Sequence, residues 1–130
     1  MSREIKFRAW DYNTNTMVYP YSELEITFCF DKVGLSVYHN NGQEMSSFEL
    51  MQYTGLKDRN DKEIYEGDIL FKDGYWSIRI EYDKGGFMVR DLDKIRYNNK
   101  CLNWNIGSFD LSGWEIIGNI YENNELLEEI

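Results

Sequence analysis

The chain has 130 residues, enough for one domain or one domain with a small appended lobe, since domains cluster near about 100 to 150 residues. With 42% hydrophobic and 16% aromatic residues it is not a disordered chain, and it holds no apolar run near the roughly 20 residues that a membrane-spanning helix needs. The formal charge of −9, from 23 acidic against 14 basic residues, opposes general binding to a nucleic-acid backbone, where affinity comes from Lys and Arg displacing counterions. A single Ala (Ala9), a single Pro (Pro20), 7 Phe, 10 Tyr and 4 Trp point to sheet, because Ala favours helices while aromatic side chains fit a pleated surface. Residues 3 to 8 are mostly polar and charged where a signal peptide would be apolar, so an intracellular, cytoplasmic protein is expected.

Residues 3 to 11 alternate, with Ile5, Phe7 and Ala9 on one face and Lys6, Arg8 and Trp10 on the other, which predicts a half-buried strand. Asn13 to Thr16 turn into a strand at Met17-Val18-Tyr19, and Pro20 suits a strand end. Residues 24 to 30 and 35 to 39 predict two further strands joined around Gly34 and closed at Asn41-Gly42. Ser47 to Tyr53 fits either a strand or one helical turn, and periodicity does not decide between them.

Residues 54 to 63 are charged and turn-rich, and form the expected boundary between an N-terminal β-rich lobe (1–53) and a C-terminal unit (54–130). Beyond them, strands are predicted at Ile64 to Lys72, Tyr75 to Tyr82, Phe87 to Arg90 and Trp114 to Tyr121, with Asp73-Gly74 and Asp83 to Gly86 as tight turns. Short strands in such succession suggest a small barrel or sandwich. Asn123 to Glu129, with an Asn at its start and early Glu residues, predicts a short C-terminal helical turn.

Charge is unevenly spread. Residues 72 to 100 hold seven basic against five acidic side chains, whereas residues 101 to 130 hold six acidic and no basic ones, which reads as a solvated face that favours solubility. Cys29 and Cys101 form no CxxC pair, and His39 is the one His, so no zinc site or Ser-His or Cys-His pair is expected. Cys29 is expected to behave as a small apolar core residue, and His39, ahead of Asn40-Asn41-Gly42, as an exposed strand-end residue.

Three segments resemble one family: Arg3 to Asp11 (REIKFRAWD), Thr54 to Leu70 (TGLKDRNDKEIYEGDIL) and Trp114 to Leu127 (WEIIGNIYENNELL). In order and spacing they are similar to the YopX family, small proteins encoded by bacteriophages and prophages. The resemblance is most specific at Tyr65 to Ile69 and thin between residues 20 and 46. Asn124 stands where the family usually has Pro, which bears on the rigidity of the terminal turn rather than on the fold. The resemblance implies a mainly β fold with an SH3-like C-terminal barrel and supplies no catalytic residues.

Glu63, Glu66 and Asp68 place three carboxylates within six residues, a set that can hold a divalent metal in a hydrolase. The competing role is structural: Gly67 is a natural bulge site, and in SH3-like barrels an Asp after Gly accepts backbone N–H bonds. Tyr75, Arg79, Arg90, Arg96 and Tyr97 are candidates for one face of the C-terminal unit, because rings beside Arg grip single-stranded nucleic acid. Arg79 and Arg90 among Glu81, Asp83 and Asp91 serve as readily in cross-strand ion pairs. Twenty-one aromatic side chains exceed what a small barrel obviously buries, and Trp10, Tyr12, Tyr19 and Tyr21 are the expected subunit contact of a homo-oligomer. The leading expectation is a non-enzymatic interaction module with no cofactor, no metal and no membrane association, meeting an unidentified phage or host protein. Nucleic acid bound by residues 72 to 100 is the first alternative, and the metal hydrolase the second.

Overall fold

A computed structural model describes residues 4–19, 26–32, 34–39, 42–75, 77–83, 85–92, 103–108, 110–123 and 125. The described residues form eleven strands and two 3-10 turns, and they divide into two compact units, Ile5–Gln52 and the chain from Tyr53 onward.

In the first unit, β1 (Phe7–Asp11) lies between β2 (Thr16–Val18) and the first half of β5 (Phe48–Lys57), antiparallel to both. Ser47 to Tyr53, undecided in the sequence, is therefore strand: its pairing with β1 from Phe48↔Asp11 to Gln52↔Phe7 supplies the backbone partners that periodicity could not reveal. The hairpin of β3 (Ile26–Asp31) and β4 (Gly34–His39) contributes Val37 to a core with Ala9, Val18 and Met45, packed by Leu35, Phe48 and Leu50.

β1 differs from its expected one-sided burial. Arg8, Ala9, Trp10 and Asp11 are all buried, so both faces of β1 are covered, while Ile5, which precedes the strand, is 62% exposed. Arg8 is accommodated by Tyr19, donating from Nη1 to its hydroxyl at 3.2 Å with the guanidinium 5.9 Å from the ring centroid.

In the second unit, the rest of β5 pairs with β6 (Glu63–Tyr65), and a five-stranded antiparallel sheet follows. Its order is β10 (Asn103–Asn105), β9 (Gly86–Asp91), β8 (Ile78–Asp83), β7 (Asp68–Phe71), β11 (Glu115–Asn119). Among the described residues no pairing joins the outer strands β10 and β11. The strand expected over Ile64 to Lys72 is two strands, β6 and β7, broken where Gly67 takes φ of 90°. Alternation in β8 sends Ile78 and Ile80 inward to meet Ile64, Leu70, Val89, Leu111 and Trp114. The helical turn expected over Asn123 to Glu129 falls mostly on residues 124 and 126–130, outside the described residues.

Candidate functional site

β8 and β9 pair so that Arg79 lies directly opposite Arg90, a like-charge register that costs free energy unless an anion intervenes. Glu81, two residues further along the same face of β8, supplies it. Its Oε1 accepts from Arg79 Nη2 and, at 3.1 Å, from Arg90 Nη1. The three side chains are 22%, 35% and 21% exposed for Arg79, Arg90 and Glu81, so they form a partly shielded cluster with one net positive charge. Arg79 Nε is buried with no acceptor, which leaves its guanidinium edge half satisfied. The cross-strand ion pairing weighed against nucleic-acid contact is what these strands form.

Tyr75 is 53% exposed in the turn between β7 and β8. Its ring packs tilted against Trp114, centroids 5.6 Å apart, and Lys72 Nζ stands 5.2 Å from its centroid. Trp114 is a core side chain, so the exposed ring is seated on the hydrophobic core of its unit. Lys72 also lies near Asp110, whose carboxylate is held below its ordinary range chiefly by the hydroxyl and N–H of Ser112. Arg96 and Tyr97 lie outside the described residues.

The carboxylates Glu63, Glu66 and Asp68 lie at and around the turn between β6 and β7. Among the described residues no three His, Cys, Asp or Glu side chains are grouped to hold a metal ion. Asp68 is buried, and its Oδ2 accepts the Tyr65 N–H at 2.8 Å, closing the turn around Gly67. Gly67 donates its N–H to the Ile80 carbonyl at 2.7 Å and accepts the Ile120 N–H at 2.9 Å, so this turn is tied to β8 and to the end of β11. Backbone satisfaction inside the sheet explains the Gly67-Asp68 pair physically.

The residue missed in the sequence is Asp58. Its Oδ1 accepts the N–H groups of Asn60 at 2.8 Å and Lys62 at 2.9 Å, and its Oδ2 accepts that of Ile116 at 3.0 Å. Burial works to raise its pKa, but the three N–H donors and the charge of Lys62 prevail and hold it below the ordinary carboxylate range. Arg59 adds its N–H to the Trp114 carbonyl at 2.9 Å and an ion pair to Glu115. The turn-rich stretch 54 to 63 is thus ordered hairpin docked on β11, with Thr54 Oγ1 bonding the Ile64 carbonyl at 2.7 Å beside the bulge at Gly55. An Asp two residues before a turn Asn is the recognisable signal of such an Asx turn.

In the first unit, Trp10 is buried, 6% exposed, so the aromatic surplus inferred from counting is smaller than expected. Tyr12 is 44% exposed, Tyr19 is half-buried against Arg8, and Tyr21 lies outside the described residues. His39 is not an exposed strand end: its Nε2 meets Asp11 Oδ2 at 3.0 Å, with side-chain exposures of 19% and 3%. Burial acts to raise the Asp11 pKa, yet the Asn13 N–H and His39 lower it further. Cys29 is exposed rather than in the core, since it occupies the outward side of the two-stranded β3–β4 hairpin, opposite Ser36. Cys101 lies outside the described residues.

Comparison with known proteins fits this architecture. No curated protein matches the chain. Two solved structures are similar over nearly all of both chains. Protein EF1440 from Enterococcus faecalis is 28% identical with a TM-score of 0.57, covering 97% of this chain and 99% of that one. Protein yopX from Bacillus subtilis is 21% identical with a TM-score of 0.61, covering 99% of each, a likeness of fold. The model of the YopX protein family matches residues 6–128, a span that includes Asp58, Gly67, Asp68 and the whole of β11. The chain belongs to the YopX family.

Proposed function

We propose that the protein is a non-enzymatic accessory protein of a phage or prophage that acts by binding in the cytoplasm of its bacterial host. In this reading the sheet β10-β9-β8-β7-β11 curls in the manner of an SH3-like barrel and its Arg79-Arg90 face meets the partner. The observation that carries the reading is the pair of opposed guanidiniums sharing a single carboxylate oxygen of Glu81. A pair of guanidiniums on a protein of charge −9 suits a partner offering a carboxylate, and is a poor match to a long polyanion. Self-association through the first unit, where Tyr12 stands exposed, completes the proposal.

The test is capture from phage-infected host cells with the full chain and with Arg90→Ala. A protein held by the parent chain and lost with Arg90→Ala supports the reading; identical captures overturn it. Binding of single-stranded DNA that weakens with salt and with Arg79→Glu would replace the protein partner by nucleic acid. A monomer by light scattering at micromolar concentration removes the self-association.

A further inference from the structure

Asp73 and Gly74 form the chain's one Asp-Gly pair and stand at the centre of the turn joining β7 to β8. The turn is closed by the Tyr75 N–H, which donates to the Lys72 carbonyl at 3.0 Å. Both central residues are exposed, and Gly74, with φ of 84°, has open space where a Cβ would stand. Among the described residues nothing accepts the Gly74 N–H. A backbone nitrogen free of hydrogen bonding therefore follows a solvent-exposed carboxyl group, with no β-carbon to block its approach.

We propose that Asp73 is a site of spontaneous isoaspartate formation in the folded protein. The Gly74 nitrogen attacks Asp73 Cγ; an N–Cγ bond forms, the nitrogen gives up its proton, and a carboxyl oxygen leaves as water. The product is a five-membered succinimide. Water then adds to one of its two carbonyls. Opening at Cγ restores Asp73, whereas opening at the backbone carbonyl leaves the main chain running through the side-chain carbon. One water leaves and one enters, so the mass is unchanged and no other reactant is required. The isomer lengthens the main chain of a tight turn by one carbon, which removes Tyr75 from its seat on Trp114 and its contact with Lys72.

The chain's one Asn-Gly pair, Asn41-Gly42, provides an internal contrast. In an unfolded chain near neutral pH Asn-Gly closes faster than Asp-Gly, because the Asn amide is neutral whereas the Asp side chain is an ionised carboxylate that resists attack. Here the Gly42 N–H donates to the His39 carbonyl at 2.9 Å, so its nitrogen attacks only after that bond opens. The fold ties up the Gly42 nitrogen and leaves the Gly74 nitrogen without an acceptor among the described residues.

The experiment ages the full chain near neutral pH at physiological temperature, native and in urea, followed by peptide mapping with isoaspartyl methyltransferase labelling. The expected result is an equal-mass isomer at Asp73 forming at similar rates in both samples. Deamidation at Asn41 is expected roughly 5- to 10-fold slower in the native sample, the worth of one backbone hydrogen bond. Asp73→Glu, which cannot form the five-membered ring, removes the isomer and leaves Asn41 unchanged. Isomer at Asp73 in urea alone, its absence from both samples, or its persistence in Asp73→Glu overturns the proposal, as does equal deamidation of Asn41 in the two samples.

Discussion

The two units use polar residues differently. In Ile5–Gln52 the buried charged side chains meet other side chains, Arg8 the Tyr19 hydroxyl and Asp11 the His39 ring, with Asp11 also accepting the Asn13 N–H at 2.9 Å. From Tyr53 onward the buried polar side chains answer the backbone instead: Asp58 takes three N–H groups, Asp68 takes one, and Asn119 Oδ1 accepts those of Tyr121 at 3.0 Å and Glu122 at 2.8 Å. Each of these three lies in a segment through which the chain resembles its family. A strongly patterned motif with carboxylates invites a catalytic interpretation, yet here its carboxylates organise turns. The lesson is that an acidic side chain beside Gly or Asn in a turn-rich stretch should first be tested as a backbone acceptor.

The difference can be broken most forcefully at the core of the second unit. Ile80→Ala removes a fully buried side chain from the cluster around Leu70 and Val89 and is expected to cost about 2–5 kcal/mol, read by denaturant titration, with hydrogen exchange rising first at β7 to β9. Asp58→Ala strands three backbone donors and is expected to cost about 2–3 kcal/mol, an amount resolved by the same titration. Asp58→Asn, which keeps one acceptor oxygen, should lie between parent and Ala. A silent Asp58→Ala would show that water serves these donors as well, and the contrast between the units would fail.

Acid should act through the same groups. Asp58 and Asp11 have folded pKa values depressed below their unfolded ones. Their contribution is therefore complete above the unfolded value, about pH 4, and is lost as pH falls through the lower folded values. Thermal unfolding across that window should show stability declining with acidification, and Asp58→Asn should flatten the decline. The first unit is sharpened by His39→Ala, expected to cost about 1 kcal/mol because it leaves the buried Asp11 carboxylate with fewer partners. Smallest is Arg59→Ala. Its ion pair with Glu115 joins side chains 48% and 38% exposed, so a change within about 0–1 kcal/mol is expected in a double-mutant cycle.

Elements with strong local signals were legible in the chain alone. The alternation of Ile78 and Ile80 against Arg79 and Glu81 marked β8, and Asp73-Gly74 and Gly85-Gly86 marked its turns. β10 was not legible, since Asn103-Trp104-Asn105 has no strand pattern of its own and becomes strand by pairing with Met88 to Arg90. Of the candidate surface, the Arg79-Glu81-Arg90 pairing was visible as a possibility, because strand alternation placed these residues on one face. Asp58 was not, because one of its three donors, Ile116, lies 58 positions away in sequence.

What the sequence determined by itself was whatever depends on neighbours along the chain: β composition, alternation, turn positions and family membership through motif order. Tertiary structure alone decided which faces were covered. Trp10, read as a surplus ring, is buried on the face of β1 opposite Ala9, and Cys29, read as core, is exposed although its hairpin buries Val37. The period of a strand tells which side chains share a face; only the number of strands and layers around it tells whether that face meets water.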